Sequence, residues 1–265
     1  MAHHTISIID FFSLESALAT EFRRLLNTLQ NPLHDHELKS VLVTSAMLSE
    51  GKSTVCAFLA VTAAKKGLRT LLVDSDLRRP SLHKLFVMPR ELGLVDVLAE
   101  GAAGKSVVKK TSLDKLDLVT AGKVVAHPAE VFDAPAIGRL IAEMKFYYDL
   151  IVVDSAPIIP VSDPMLLAPE MDGVLIVVRA GSTQRDVVHR AKEIMGAATN
   201  RVLGIVLNNA ENSLPYYYDQ GYYGYDYGQK APGGGKSGVR NNSRNHNGSE
   251  SRKAAPPDEK KKVTP

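Results

Sequence analysis

A chain of 265 residues with 45% hydrophobic residues can form one large α/β domain or two small ones, with a substantial core. Its single cysteine, Cys56, excludes an internal disulfide and fits a reducing compartment, where it is expected to be a small buried side chain. No apolar stretch approaches the roughly 20 residues that cross a bilayer, and the N-terminus lacks signal-peptide features. We therefore expect a soluble, cytoplasmic protein.

The positive charge of the chain is concentrated at its C-terminus. Residues 229–265 carry nine Lys and Arg against three acidic residues, a net charge of +6, whereas the whole chain carries +3, so the remainder carries −3. The same segment is rich in Gly, Asn, Ser, Pro and Lys, which predicts a disordered basic tail over 229–265. The sequence leaves open whether this tail contacts anionic lipid or only keeps the chain soluble.

The N-terminal part is expected to hold a loose arm over residues 1–13 and then a helix over 14–29, where leucines and Phe22 recur at spacings of three and four. Asn31-Pro32 ends this helix. Residues 34–37, His-Asp-His-Glu, resemble metal ligands, but no other ligand cluster supports them. We interpret them as a solvated loop before the first core strand.

Between this loop and residue 210, the pattern alternates between strands and helices. Strands are predicted at 41–44, 70–73, 116–120, 149–154, 173–178 and 202–207, and helices at 52–66, 94–99, 134–146 and 185–198. Most of the strand segments are apolar throughout, as in strands buried on both faces of a parallel sheet. The sequence therefore predicts a domain over 14–210 with a doubly wound, mostly parallel sheet and helices on both faces, whose ligands bind at the carboxyl ends of the strands.

The stretch 44–54 lies between the first strand and the next helix and ends in Gly51-Lys52-Ser53, which predicts a phosphate-binding loop. Backbone N–H groups at the helix N-terminus would face the anion, Lys52 would reach the β- and γ-phosphates, and the Ser53 hydroxyl would bind Mg²⁺. The slot for the first glycine of the usual pattern holds Ala46. The residues expected to contact the nucleotide are Ser49, Glu50, Gly51, Lys52, Ser53, Thr54 and Asn208.

Three carboxylates follow two other strands, which places them at the same edge of the sheet. Asp154 suits a direct or water-mediated magnesium contact, and Asp74 and Asp76 offer one group to fix the metal and one to accept a proton. Spacing alone does not tell which of the two does which. The candidate catalytic residues are Lys52, Asp74, Asp76 and Asp154, and the candidate metal ligands are Ser53, Asp74 and Asp154. Arg78 or Arg79 would stabilise phosphate charge. For each of them, a surface salt bridge is an alternative role of equal weight.

Residues 211–228 form a tyrosine-rich cluster that contains seven of the nine tyrosines. The intervening residues are mainly Gly, Asp and Gln. An adhesive tail or an RNA-stacking segment is the alternative interpretation, but Asp219 and Asp226 argue against a nucleic-acid partner. The candidate phosphate acceptors are Tyr216, Tyr217, Tyr218, Tyr222, Tyr223, Tyr225 and Tyr227.

Residues 45–54, 71–80 and 148–157, together with the tyrosine cluster, resemble the bacterial tyrosine kinases (BY-kinases) of capsule and exopolysaccharide synthesis. The resemblance covers about residues 16–228. It implies three Walker-type motifs, ATP with Mg²⁺, and phosphorylation of the C-terminal tyrosines by a neighbouring subunit in a ring. This autophosphorylation would regulate polymer synthesis and export. The resemblance also implies a membrane-spanning polysaccharide co-polymerase as activator, a cognate tyrosine phosphatase, and a location at the cytoplasmic side of the inner membrane.

The chain departs from this family pattern in two places. The ring-forming helix of the family reads Glu-x-x-Arg-x-x-Arg, and here Glu21 and Arg24 are followed by Asn27. Leu48 and Ser49 stand where such kinases usually have Pro-Gly. These departures bear on the strength of the oligomer and on turnover more than on nucleotide binding.

Two other functions remain open on the same scaffold. A partition- or septum-site-type ATPase would carry a signature lysine five residues before the loop lysine, and that position is Met47 here. The second alternative is a nucleotide-binding regulator of polysaccharide export without kinase activity. The altered phosphate loop is consistent with it. Phosphate transfer to tyrosine separates the kinase from both.

Overall fold

The computed structural model describes residues 6–13, 16–30, 37–199 and 201–210. The strands are β1 (Ser40–Ser45), β2 (Thr70–Asp74), β3 (Lys109–Lys110), β4 (Leu116–Val119), β5 (Leu150–Asp154), β6 (Gly173–Arg179) and β7 (Val202–Asn208). The helices are α1 (Ile8–Phe11), α2 (Ala17–Leu29), α3 (Lys52–Lys65), α4 (Leu82–Leu85), α5 (Leu94–Glu100), α6 (Pro128–Val131), α7 (Ala134–Met144), α8 (Asp163–Leu167) and α9 (Arg185–Ala198). Short 3₁₀ turns cover Gly104–Val107 and Ala168–Glu170.

All seven strands form one sheet in the order β3-β4-β2-β5-β1-β6-β7. Every neighbouring pair is parallel except β3 with β4. The strands β2, β5 and β1 are adjacent, so their carboxyl ends meet at one place on the sheet edge. That place lies beside the point where the chain order of the strands reverses, which is where doubly wound sheets bind ligands.

Helices cover both faces of this sheet. One apolar cluster packs α1 to α4 against one face, and a second packs α5, α7, α8 and α9 against the other. The central strands β1, β2 and β5 are buried along their whole length, which explains their continuous apolar sequence. The predicted doubly wound sheet is confirmed.

Helix bounds differ from the predicted ones where a capping side chain sets the first turn. The helix expected over 14–29 begins at Ala17 because the Ser16 hydroxyl accepts a hydrogen bond from the backbone N–H of Ala19 at 3.1 Å. The Asp133 carboxylate caps α7 in the same way through the N–H of Ala136 at 3.0 Å. No described helix is long and apolar enough to cross a membrane.

The described part of the N-terminal segment differs from the loose arm expected over residues 1–13. Ile8 and Phe12 are buried, and the Phe12 ring lies 5.6 Å from the Phe58 ring of α3, centre to centre. Burial of these two apolar side chains therefore anchors residues 8–12 to the domain. Residues 34–36, the tyrosine cluster 211–228 and the basic tail 229–265 lie outside the described residues.

Candidate active site

The loop between β1 and α3 has a backbone shape that requires glycine at one position. Gly51 has φ +90°, and a Cβ atom there would lie 2.1 Å from Asn208 Nδ2. Asn208 ends β7 and donates a hydrogen bond from Nδ2 to the Glu50 carbonyl oxygen at 2.9 Å. Asn208, expected to contact the nucleotide, therefore braces the loop from the end of the edge strand β7.

The side chain of Glu50 also holds the loop in shape. It is buried, and its carboxylate accepts hydrogen bonds from the Met47 backbone N–H at 2.7 Å and from the Thr183 hydroxyl. The Met47 side chain is exposed. Glu50, expected to contact the nucleotide, thus keeps only its backbone for that contact.

The N-terminus of α3 is open to an anion. Its N-cap is Gly51, and no side chain caps the first turn. Ser49, two residues earlier, adopts φ +62°, a left-handed conformation that glycine takes without strain. Uncapped N–H groups at a helix N-terminus, with the helix dipole, attract phosphate.

Lys52, the first residue of α3, is surrounded by carboxylates. Its Nζ lies 3.0 Å from Asp76 Oδ2, 3.8 Å from Asp154 Oδ1 and 3.4 Å from Ser53 Oγ. Burial lowers the pKa of Lys52, but the charges of Asp154 and Asp76 outweigh that effect and raise it. The ammonium group is therefore charged at neutral pH and held where β1, β2 and β5 end.

Asp74 and Asp154 are fully buried, and some of their carboxylate oxygens accept no hydrogen bond. Asp74 Oδ2 accepts hydrogen bonds from the backbone N–H groups of Ser81 and Leu82, each at 3.1 Å, whereas Asp74 Oδ1 and both oxygens of Asp154 have no hydrogen-bond partner among the described residues. Burial, with the charge of Asp154, raises the pKa of Asp74 to about 8. Burial likewise raises the pKa of Asp154 to about 6, although Lys52 acts against it.

These unpartnered oxygens fit a hard divalent cation. Mg²⁺ prefers oxygen donors and binds through one or two carboxylates together with phosphate oxygens and water. Within the described residues, no group of three or more His, Cys, Asp or Glu side chains encloses a metal position. The donor set of Ser53, Asp74 and Asp154 offers one hydroxyl and two carboxylates, which suits such an ion when phosphate oxygens complete its coordination.

The two arginines after β2 have different surroundings. Arg78 Nε lies 3.0 Å from Asp163 Oδ2 and its Nη2 lies 3.3 Å from Oδ1, a bidentate ion pair. The backbone N–H of Arg79 donates to Asp76 Oδ1 at 2.9 Å, but the Arg79 side chain has no ion pair in the described part of the chain. Of the two, Arg79 is thus the one open to an anion.

A cavity of about 270 Å³ lies over the loop. Ser49, Gly51, Lys52, Ser53 and Thr54 line it, together with Leu48, Asp76, Arg79, Ser81 and Leu85. The structure thus brings most of the expected nucleotide-contacting residues to one cavity. Glu50 and Asn208 do not line it, and Asn208 holds the loop through the Glu50 carbonyl oxygen.

The expected ring-forming residues lie at a different place, on α2. Arg24 Nη1 contacts Glu21 Oε1 at 2.7 Å, and both side chains line a groove of about 480 Å³ between α2 and β7. Asn27, which replaces the second arginine of the family motif, accepts a hydrogen bond from Lys66 Nζ at 2.5 Å. The Asn27 side chain is thus linked to the end of α3.

Sequence reasoning missed the residues that shape the site from a distance. Thr183 holds Glu50, and Asp163 holds Arg78, across 133 and 85 positions of the chain. Ser75 joins β2 to β5 because its hydroxyl donates to the Asp154 carbonyl oxygen at 2.7 Å. No spacing pattern marks Thr183 or Asp163, whereas Ser75 lies between two of the predicted carboxylates.

Comparison with known proteins now identifies the family. A family model described as ParA: NUBPL iron-transfer P-loop NTPase matches residues 38–224, which agrees with the phosphate-loop scaffold. Tyrosine-protein kinase YwqD of Bacillus subtilis strain 168 is 32% identical over 224 residues, 84% of this chain and 92% of YwqD. The chain belongs to the bacterial tyrosine kinases.

Two further relatives agree with this assignment. The kinase domain of the Escherichia coli tyrosine kinase ETK superposes with a TM-score of 0.68 at 28% identity, covering 73% of this chain and 75% of that domain. The succinoglycan biosynthesis transport protein ExoP of Rhizobium meliloti strain 1021 is 34% identical over 212 residues, which are 77% of this chain and 26% of ExoP. The chain therefore matches a solved tyrosine-kinase domain, and it matches about a quarter of the much longer ExoP.

Proposed function

We propose that this BY-kinase transfers the terminal phosphoryl group of ATP to tyrosines of its own C-terminal cluster, residues 216–227, and thereby regulates the synthesis and export of an exopolysaccharide or capsule. The observation that supports the proposal most directly is the position of Lys52, whose Nζ lies within 4 Å of Asp76 and Asp154 at the open N-terminus of α3. A switch that only binds nucleotide needs the loop and one acid. The additional carboxylates are more than binding requires.

Each residue of the site has a defined task in this proposal. The N–H groups of residues 49–54 and Lys52 bind the phosphates, and Ser53, Asp74 and Asp154 hold Mg²⁺. Mg²⁺ would neutralise part of the charge on the phosphates. Because Asp76 lines the cavity over the loop and Asp74 does not, we assign the acceptor hydroxyl to Asp76.

The proposed reaction is an in-line displacement. The phenolic oxygen forms a bond to the terminal phosphorus of ATP, the bond from that phosphorus to the bridging oxygen breaks, and ADP leaves with the electron pair. The phenolic proton passes to the Asp76 carboxylate and then to solvent. A phenol with a pKa near 10 is a weak nucleophile at neutral pH, so a carboxylate at its hydroxyl group speeds the step.

The partners belong to the same proposal. We infer a homo-oligomer that uses the Glu21 and Arg24 face of α2, a cognate tyrosine phosphatase, and a membrane-spanning polysaccharide co-polymerase that keeps the kinase at the cytoplasmic side of the inner membrane. Support for the last comes from ExoP, a transport protein of which a chain like this one forms about a quarter.

Incubation of the full chain with γ-labelled ATP and Mg²⁺ tests the proposal. The matched variants are Lys52→Met, which removes the phosphate-binding ammonium, and a variant with all seven cluster tyrosines changed to Phe. Label on tyrosine in the wild type, absent from both variants, supports the kinase. Free phosphate alone indicates an ATPase of the partition type, and neither product indicates a regulator without catalysis.

A further inference from the structure

The loop that joins α4 to α5, residues 86–93, carries two exposed apolar side chains on left-handed backbone. Val87 has φ +53° and is 49% exposed, and Leu92 has φ +55° and is 63% exposed. Left-handed backbone is uncommon for residues other than glycine, and it is a genuine outlier for a β-branched or bulky side chain. The loop therefore presents two apolar side chains to solvent at positions where glycine would fit the backbone better.

Hydrogen bonds at both ends hold the loop in this shape. After α4, the N–H of Met88 donates to the His83 carbonyl oxygen at 2.9 Å, the bond of a helix that ends in a left-handed residue. Before α5, the Thr120 hydroxyl donates to the Arg90 carbonyl oxygen at 2.8 Å, and Arg90 Nε donates to the Gly122 carbonyl oxygen at 2.6 Å. The two apolar side chains thus stand on a fixed backbone.

Three cations, Lys84, Arg90 and Lys109, lie together beside this loop. Burial, and then the positive charges of these three residues, lower the pKa of His83, so all three charges lie close to one imidazole. Among the residues that the structure describes, none of the three forms an ion pair. The acidic side chain of the loop is Glu91, so positive charge exceeds negative charge around the two apolar side chains.

We propose that the loop 86–93 and the three cations form a membrane-contact surface that binds a bilayer containing anionic lipid. Val87 and Leu92 enter the boundary between the headgroups and the acyl chains, and the cations bind the lipid phosphates. The inference goes beyond the proposed function, because it assigns a direct lipid contact to this chain in addition to its contact with a membrane-spanning partner.

The composition of the surface favours a bilayer over other anionic partners. Protein surfaces that combine apolar side chains with Lys and Arg bind membranes, because the apolar part enters the interface while the cations attract anionic headgroups. A phosphorylated tyrosine segment would neutralise the cations but would leave Val87 and Leu92 in water. A bilayer accommodates both parts of the surface.

The position of the surface in the fold gives the contact an orientation. Thr120 and Gly122, which hold the loop, follow β4, so the loop lies at the carboxyl edge of the sheet, as the phosphate loop does. Contact with a bilayer at this edge turns the nucleotide cavity toward the membrane. Phe146, which is also exposed, lies between α7 and β5 at the opposite edge and faces away from the membrane.

A fluorescent probe on the full chain tests the contact directly. Cys56 is buried, so a cysteine introduced at an exposed position takes up the thiol-reactive fluorophore NBD selectively, and the unaltered chain is the blank. With vesicles of phosphatidylglycerol and phosphatidylcholine, the probe on Leu92→Cys should shift to the blue and be quenched by doxyl-labelled lipid. The probe on Phe146→Cys should show neither change. The basic tail 229–265 is the same in both chains and cannot produce the difference.

Co-sedimentation with the same vesicles separates the apolar contribution from the charge. Val87→Gly with Leu92→Asn removes both apolar side chains and introduces residues that tolerate left-handed backbone, so affinity should fall at least about tenfold without loss of fold. Phe146→Asn should leave affinity unchanged. Lys84→Ser should lower it about fivefold, the effect of one lysine at an anionic surface. Lys192→Ser, at an exposed lysine of α9, should leave it within about twofold.

Several outcomes would overturn the inference. Sedimentation with an unchanged probe at position 92 would show that only the tail binds lipid, and a concentration-dependent blue shift without vesicles would show a contact between copies. A probe that responds to a phosphorylated peptide of residues 216–227 and not to vesicles would assign the cations to that segment. Unchanged affinity of the Val87→Gly, Leu92→Asn variant would also end it. None of these measurements requires phosphate transfer, so the proposed kinase function stands or falls separately.

Discussion

Asp74 and Asp154 are register partners on adjacent parallel strands, and both carboxylates are fully buried. Two like charges in a site shielded from water raise each other's cost of ionisation. Three of their four oxygens have no hydrogen-bond partner among the described residues. Under the proposed function, a cation that arrives with the nucleotide would stabilise this pair.

The first prediction concerns the pH dependence of stability. In metal-free protein, the pKa of Asp74 is raised to about 8 from an unfolded value near 3.9, so its favourable contribution is complete below about pH 4 and is lost as pH rises through 8. Asp74→Asn carries no charge and escapes this loss. We expect the variant to gain at least about 2–4 °C in melting temperature over the wild type between pH 5 and pH 8, the shift that about 1 kcal/mol produces in a domain of this size.

Mg²⁺ with ADP provides the control for this measurement. The ligand should raise the melting temperature of the wild type at pH 8 more than that of Asp74→Asn, because it removes the repulsion that the variant lacks. If the difference in melting temperature between the two proteins stays constant from pH 5 to pH 8, ionisation of Asp74 does not destabilise the folded protein.

The second prediction concerns the brace behind the phosphate loop. Thr183→Val removes the hydroxyl that donates to Oε1 of the buried Glu50 carboxylate and leaves that oxygen without this hydrogen bond, while Oε2 keeps the one from the Met47 N–H. We expect a loss of about 1–3 kcal/mol in unfolding free energy and weaker ADP binding, measured by denaturant titration and calorimetry. Thr183→Ser keeps the hydroxyl and should stay near the wild type. Equal behaviour of the Val and Ser variants would exclude the brace.

The third prediction concerns backbone strain in the loop. Ser49 holds φ +62°, which costs an L-residue about 1–2 kcal/mol that glycine does not incur. After the greater chain entropy of unfolded glycine is subtracted, Ser49→Gly should stabilise the protein by about 0.5–1 kcal/mol in a urea titration. Ser182 is also exposed, but its φ is not positive, so Ser182→Gly relieves no strain and should destabilise the protein slightly. If both changes destabilise the protein, the strain at Ser49 is absent.

The strands and the position of the site could be predicted from the sequence, for a definite reason. Strands buried on both faces need continuous apolar residues, and the charged residue that ends such a run marks the sheet edge, as Asp154 does after β5. The phosphate loop was recognisable because Lys52 and Ser53 follow one strand and open one helix. Both features can be read from residues that lie close together in the sequence.

Contacts between distant parts of the chain were not predictable in this way. The Thr183 hydroxyl and the Glu50 carboxylate meet across 133 positions, and nothing near either residue signals the other. Ile8 and Phe12 have helical spacing, but the four-residue helix α1 is too short for a periodicity argument.

The central claim is that ATP bound at Lys52 donates its terminal phosphoryl group to tyrosines of the C-terminal cluster. Phosphopeptide mapping by mass spectrometry, after incubation of the full chain with Mg²⁺ and ATP, tests it most directly, with Lys52→Met treated in parallel. The account predicts phosphate on tyrosines within residues 216–227 of the wild type and none in the variant. Consumption of ATP with all seven of those tyrosines unmodified would contradict it.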